Sequence, residues 1–569
     1  MTIQSLQIPA LPDAGKTRFI GNLNGSSRGL LVAEQAQKHQ GLSLVIARNS
    51  EAASTLAAEI GFFAPGLQTL SFPDWETLPY DSFSPHQDII SQRLYCLHQL
   101  QSATQAVIIV PAATLMQRLP PPSYLAGHSL VLKTEQRFDM EQMRSQLTQA
   151  GYHAVDTVYE HGEFATRGSI MDVFPMGSQQ PYRIDLFDDE IDTLRTFDPE
   201  SQRSIDQVEA IRLLPAKEFP LNETAVARFR QEWRGRFDVD PKHCPTYQDV
   251  SNGIAPPGIE YYLPLFFEQT SSLLDYVPAN TQLYCDSQLE IASQEFWQEV
   301  CSRHESRSYD IERPILEPHE AFHEVNRIFA DLKKFPRTEL SIEPLEQKSG
   351  RTNIPANPLP ELTVNAKADN PMAMVEQFVE QHSGQVLFCV ESAGRREALL
   401  ELLGRINLKP DSIHNWDQLH RSESKTAIIV SALESGLSLP DRKIDLVTES
   451  QLFGRKVMQR RRRGQEQDNS ELIFRNLTEL QTGAPVVHEQ HGVGRYLGLQ
   501  ALELDGQSNE FLTLEYAGSA KLYVPVSALH LISRYSGASD SLAPLHKLGT
   551  EQWGKAKRKA IEKIRDTAA

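Results

Sequence analysis

Leu42-Ser43-Leu44-Val45-Ile46-Ala47 is an almost unbroken apolar run. A helix-like segment follows it from Glu51 to Ile60, and further apolar runs stand at Leu67 to Phe72 and Ala106 to Val110. Apolar runs separated by amphipathic segments are the rhythm of parallel strands joined by helical crossovers, because such strands are covered on both faces. The opening part of the chain therefore predicts an α/β domain. From about Tyr152 to Leu214 the period becomes two, as in Tyr182-Arg183-Ile184-Asp185-Leu186-Phe187, with acidic turn residues between the runs. That change predicts an antiparallel insert.

The 569 residues suggest roughly three to four domains at about 150 residues each. The expected series is an α/β domain in two parts, 1–126 and 213–335, around an inserted β domain at 127–212. A Pro-rich linker at 336–360 follows, then a second, small α/β domain at 361–455, marked by Gln385 to Val390, Ala427 to Val430 and Ile444 to Val447. A basic linker at 456–475 leads to a β-rich domain at 476–547, and 548–569 reads as the start of a helix that continues in a longer parent. The run Arg455 to Arg463 reads as a solvated linker, with a nucleic-acid arm as its alternative.

A net charge of -18 argues against a surface coated in positive charge for general DNA binding. Five separated cysteines (Cys96, Cys244, Cys285, Cys301, Cys389) without a CxxC pair fit a reducing compartment. Cys301-x-x-His304 lacks a second ligand pair, so no metal is expected. The first residues carry no secretory pattern, and no apolar run is long enough to span a bilayer. The expected location is the cytoplasm, with no membrane partner.

Gly15-Lys16-Thr17 looks like the end of a phosphate loop but lacks the earlier glycine and a preceding strand. The better-placed candidate is Ile20 to Gly29, with Asn22, Gly25, Ser27, Arg28 and Gly29 at the loop positions. Arg28 stands where lysine is needed, Gly29 offers no hydroxyl to magnesium, and Ser27 puts a Cβ where backbone must approach phosphate. Leu283-Tyr284-Cys285-Asp286-Ser287 has one acid, Asp286, with Ser287 where the second should stand. The site reads as degenerate, with no catalytic residue and no bound cofactor.

Several separated motifs, in one order, resemble the excision-repair protein UvrB: Asp74 to Asp81 with Ser84 to Gln87, Arg167 to Pro175, Arg183 to Glu190, Leu213 to Phe219, Gly258 to Tyr261 and Leu274 to Pro278. Over essentially the whole chain the sequence resembles the amino-terminal half of the transcription-repair coupling factor (Mfd) family. That resemblance implies a multidomain α/β and β architecture: a UvrB-like, degenerate RecA-type α/β domain with an antiparallel insert, a small α/β domain, and a CarD-like, Tudor-like small β-barrel. It also implies UvrA and the RNA polymerase β subunit as partners. DNA contact and ATP with magnesium belong, on this reading, to a translocase motor beyond the chain's end.

In Tyr182 to Phe187, Arg183, Asp185 and Phe187 share one face. An outward Phe beside an Arg suits an interface hot spot, whereas a core Phe187 and surface-paired arginines are the alternative. The resemblance makes Arg167, Arg183 and Phe187 the UvrA contacts, with Arg183→Glu expected to leave the chain folded. In the β-rich part, Gly483 to His488, His491 to Tyr496, Phe511 to Tyr516 and Lys521 to Val526 read as short strands of a CarD-type polymerase-interacting domain. Tyr496 to Leu504 is the candidate docking edge, with Leu497, Leu499 and Leu502 either contacts or core; His488 and His491 read as turn and strand residues. Two other functions compete. A UvrB-type damage-handling ATPase is opposed by Arg28, Gly29 and Ser287 and by the lack of an aromatic-rich hairpin. A hydrolase using His161, His488 or His491 lacks any nucleophile motif.

Overall fold

The computed structural model describes residues 6, 8–364, 370–419, 422, 424–454, 482–488, 491–504, 507–525, 532–534 and 545–547. They fall into two compact units, Met1–Trp75 with Pro79–Gly454, and Glu76–Leu78 with Arg455–Ala569. The expected basic linker at 456–475 and terminal helix at 548–569 lie outside the described residues.

The first unit starts with β1 (Thr17–Gly21), α1 (Ser27–Lys38), β2 (Leu42–Ala47), α2 (Ser50–Phe63), β3 (Thr69–Ser71), α3 (Gln87–Leu100) and β4 (Ala106–Pro111). Every residue of β2 and β4 is buried, as their apolar runs require. Asn49 starts α2 by accepting the Ala52 N–H with its side chain, which satisfies a donor that the first helical turn leaves open.

The insert runs from β5 (Leu130–Lys133) through β6 (His153–Ala154), β7 (Glu163–Arg167), β8 (Ile170–Val173), β9 (Tyr182–Phe187), β10 (Glu190–Phe197) and β11 (Ser204–Val208) to β12 (Ala210–Leu213). β5 and β12 pair antiparallel as its stem, and the other six form one sheet in the order β11-β10-β9-β8-β7-β6. Only β6 with β7 is parallel there. One face, with Phe164, Met171, Val173, Ile184 and Leu194, joins the main core. The chain then returns to the first sheet through β13 (Gln282–Asp286), β14 (Arg337–Leu340) and β15 (Arg351–Asn353), giving seven parallel strands in the order β15-β1-β14-β13-β2-β4-β3.

The segment 336–360 is therefore not the expected linker, since it holds a central and an edge strand of that sheet. β14 is polar to read, Arg-Thr-Glu-Leu, and a central parallel strand normally reads apolar. Side-chain bonds between strands make the polar residues acceptable: Arg18 donates to Thr338 Oγ1 at 2.8 Å and Arg337 to Thr17 Oγ1 at 2.9 Å.

The small α/β part of this unit has β16 (Gln385–Val390), β17 (Asp411–Ser412), β18 (Thr426–Val430), β19 (Leu437–Leu439) and β20 (Ile444–Thr448), ordered β17-β18-β16-β20-β19. It is parallel except for β19 against β20. One of its faces shares a core with α1 and α2, where Trp416 meets the rings of Phe62 and Phe63 at 5.9 and 5.2 Å. Arg442 closes the same junction on Glu34 at 2.7 Å, with both side chains largely buried.

The second unit contains β21 (Pro485–His488), β22 (Gly492–Leu504), β23 (Gln507–Tyr516), β24 (Ala520–Pro525) and β25 (Ile532–Arg534), an antiparallel sheet ordered β24-β23-β22-β21-β25. Its core includes Val486, Tyr496, Leu512, Leu514, Tyr516, Val524 and Ile532.

One buried ion pair fixes the insert's return to the first sheet. Arg93 on α3 is fully buried and donates to Glu218 at 2.7 Å, to the Pro73 carbonyl at 2.8 Å and to Gln117 at 2.8 Å. Trp75 Nε1 donates to the same Glu218 at 3.2 Å. Removing one partner of such a pair strands a buried charge, at a cost of about 3–5 kcal/mol. Glu218→Gln is expected to lower the stability of this unit by that order, read as a lower urea midpoint; a midpoint equal to that of the wild type would show that the pair is dispensable.

Candidate functional site

The phosphate-loop candidate has the strand–loop–helix setting that such a loop needs: it links β1 to the start of α1. Its contents differ. Asn22, at φ 57°, donates to the carbonyls of Ile354 and Ala356 at 2.8 and 3.1 Å, and Asn24 donates to Ala356 at 2.8 Å. A Cβ on Gly25 would lie 1.8 Å from the Gly436 carbonyl oxygen, so the small domain's backbone occupies the space beside the loop. Ser26 and Ser27 are wholly buried.

Arg28 reaches across to Asp286 at 3.3 Å, and both side chains are nearly buried. The other Asp286 oxygen accepts the Gln288 N–H at 2.9 Å. The Gly29 N–H, in the first turn of α1, donates to Glu59 Oε2 at 3.0 Å. A carboxylate thus takes the place where a helix amino terminus would receive an anion. Gly29 is required for this approach, since a Cβ there would fall 2.2 Å from Glu59 Cβ. Burial pushes the Glu59 carboxyl up to about 7, against the pull of Arg28 and the Gly29 N–H, with Glu434 adding to the rise. Sequence reading missed Glu59. Its signal was a charged residue on the buried stripe of α2, among Ala52, Leu56, Ile60 and Phe63. Gly15-Lys16-Thr17 precedes β1 instead of following a strand, and Lys16 pairs with Asp13 in solvent.

The second candidate is the outer face of the insert. Arg167 lies opposite Ile170, Ile170 opposite Asp185, and Asp172 opposite Arg183. Directly paired residues point to the same side, so Arg167, Arg183 and Phe187 share one face. Phe187 is 79% exposed, which removes its reading as core. Arg167 donates to Thr157 Oγ1 at 2.8 Å and to the Asp156 carbonyl.

Arg183 is the surprise. It forms a two-pronged pair with Asp172 at 2.8 and 2.9 Å, lies 4.8 Å over the Phe197 ring, and Asp172 is itself buried. The expectation that Arg183→Glu leaves the fold intact is corrected here, because the change would set a carboxylate against a buried carboxylate. His161 binds Asp88 and the Ser178 carbonyl, each at 2.8 Å, and stacks on Phe174; it sits in a structural contact between insert and α3.

In the second unit, β21 pairs with β22 only over Gly492–Arg495, and the Tyr496 N–H and carbonyl bond to Ala484 and Gly483. From Gly498 to Leu504, among the described residues, β22 is paired on the β23 side alone. Leu497 is bulged out of the register between Tyr496 and Gly498, and Gly498 takes φ 124°. Leu497 turns outward, 37% exposed, whereas Leu499 lies opposite core residue Leu512 and packs on that core. The Leu502 side chain lies outside what is described. The His488 and His491 rings are 4.7 Å apart, and among the described residues no cluster of three or more His, Cys, Asp or Glu could hold a metal ion. No helix among them is long and apolar enough to cross a membrane.

Three family models match parts of the chain: the UvrB interaction domain over residues 130–219, the MFD D3 domain over 378–452, and the CarD-like/TRCF RID domain over 480–536. A transcription-repair-coupling factor from Escherichia coli K12 is 48% identical over 559 residues, covering 98% of this chain and 48% of the relative. One from Haemophilus influenzae is 43% identical over 99% of the chain and 49% of its own length. One from Bacillus subtilis is 27% identical over 99% of the chain and 48% of its own length. The chain spans about half the length of the curated relatives it matches.

Glu59 makes stability depend on pH. The folded chain holds this proton more tightly than the unfolded chain, whose carboxyl titrates near 4.5, so stability falls as the pH rises from about 4.5 to about 7. Glu59→Gln keeps an acceptor for Gly29 and removes the ionisation. Its melting temperature is expected to fall less than that of the wild type between about pH 5 and about pH 8; parallel curves for the two proteins would contradict the assignment.

Proposed function

The chain belongs to the transcription-repair-coupling factor family, and from that premise we propose that it works as a double docking body. The outer face of its insert receives UvrA, and the open edge of β22 receives the RNA polymerase β subunit. The observation that carries this reading is Phe187, 79% exposed beside Arg167 and Arg183 on a sheet matched by the UvrB interaction domain model. An exposed aromatic flanked by guanidiniums on a rigid sheet is suited to anchoring a partner, because the ring loses little entropy while burying much area.

The β22 edge offers a different mechanism. Its backbone from Gly498 onward has hydrogen-bonding groups on one side without a strand partner among the described residues. An added strand from the polymerase would take up those groups while Leu497 supplies a specificity contact.

On this reading the α/β site hydrolyses no nucleotide. Arg28 is engaged with Asp286, and Glu59 takes the Gly29 N–H, so the groups that would bind phosphate and metal are spent within the fold. Displacement of stalled polymerase by ATP-driven movement on DNA, with magnesium, is the work of the part of the family's proteins outside this chain. The UvrB-type ATPase alternative loses its loop chemistry for the same reason.

The test separates the two surfaces. Phe187→Ala is expected to weaken UvrA binding at least tenfold, about 1.4 kcal/mol or more, and to leave polymerase binding unchanged. Leu497→Asp is expected to do the reverse. Calorimetric titration of each variant with each partner reads both; unchanged UvrA affinity in Phe187→Ala, or unchanged polymerase affinity in Leu497→Asp, would remove the corresponding surface.

A further inference from the structure

Helix Glu223–Arg236 carries Arg228, Arg230, Arg234 and Arg236, and the fold treats them in two ways. Arg228 pairs with Glu268 at 2.6 Å, and Arg236 pairs with Glu320 at 3.0 Å as well as with Glu232. Arg230 and Arg234 have no carboxylate at ion-pair distance among the described residues. Both lean on one ring instead: Arg230 Nε donates to the Tyr247 hydroxyl at 3.3 Å, and the Arg234 guanidinium lies 5.6 Å from the ring centre. Together with Ala227 and Gln231 they line a shallow surface groove.

Both side chains are exposed, in a chain of net charge -18. Residues four apart on a helix have Cβ atoms about 5–6 Å apart, so the two guanidiniums are held side by side by one platform. Their planar forks match pairs of phosphate oxygens.

We propose that this groove is a contact site for the phosphate backbone of duplex DNA. The ligand chemistry follows from what the groove has and lacks. Tyr247 is 7% exposed, so its ring is unavailable to stack an unpaired base as single-strand binders require. The lining is one helix face open to solvent, without the enclosed pocket that a protein partner's anchor residue normally fills. What remains is two positive forks side by side on that open face, an arrangement that positions a protein on a duplex without reading its sequence. Contact of this kind is weak and strongly dependent on salt, because each neutralised phosphate releases counterions and contributes about -0.9 to the slope of log K against log salt.

The test is fluorescence anisotropy of a labelled duplex of mixed sequence, titrated with the whole chain at several potassium chloride concentrations. It is run in a background with Arg460, Arg461, Arg462 and Arg463 changed to Ser, so that this second cationic stretch does not mask the groove. The background chain is expected to bind with an affinity that falls with salt. Adding Arg230→Ala and Arg234→Ala is expected to weaken binding about tenfold at low salt and to make the slope shallower by about 2, with the unfolding midpoint unchanged. Absence of salt-dependent binding, or a quadruple-Ser chain whose affinity and slope survive both alanines, would overturn the proposal. So would poly-glutamate that competes as well as DNA per unit charge and loses the same affinity on the double substitution, which would assign the groove to an acidic protein segment.

Discussion

The hydrogen bond from the Gly29 N–H to Glu59, beside the Arg28–Asp286 pair, is the constraint on which the first unit is built. A phosphate loop is held open by the need to admit an anion. Here the Glu59 carboxyl of the neighbouring helix takes that place, and the loop becomes a packing surface. The small domain uses that surface: Gly25 lies against Gly436, Asn22 and Asn24 hold the 354–356 backbone, and Arg442 binds Glu34.

Rigidity at that joint matters because the proposed docking face is far from it in sequence and belongs to an insertion. The insert is tied back through its β5–β12 stem, through the Arg93–Glu218 pair and through the His161–Asp88 contact. One face of its larger sheet is given to the common core. The other has its own small cluster, Val158, Ala165, Phe174 and Phe197, over which Arg183 is stacked. The cluster fixes Arg183, and the same strand then carries Phe187 into solvent. Interior packing and outward display therefore alternate along six residues of β9, as the two-residue period of a strand allows.

Much of this was legible in the sequence. The runs at Leu42 and Ala106 announced buried parallel strands, and the alternation from Tyr182 announced the insert. What the sequence hid were pairings that depend on distant residues. β14 looked like linker because its polar side chains are satisfied by Arg18 and Thr17, some 320 positions away. Glu59 looked like one more helix glutamate until Gly29 was seen to make room for it. Arg183 read as an outward contact or a surface ion pair, and only the register between β8 and β9 reveals the buried Asp172 beside it. Leu499 and Leu497 read as equivalent, and the bulge at Leu497 turns it outward while Leu499 packs on the core.

We propose that the phosphate-loop position is occupied by the protein's own side chains, Glu59 at the Gly29 N–H and Asp286 at Arg28. Equilibrium binding of a fluorescent ATP analogue with magnesium to the whole chain tests it most directly. The account predicts no saturable binding up to about 1 mM, a free energy weaker than about -4 kcal/mol, and no phosphate release. Saturable binding that disappears in Arg28→Ala would contradict it, because it would mean that the loop opens and that Arg28 leaves Asp286 for a phosphate.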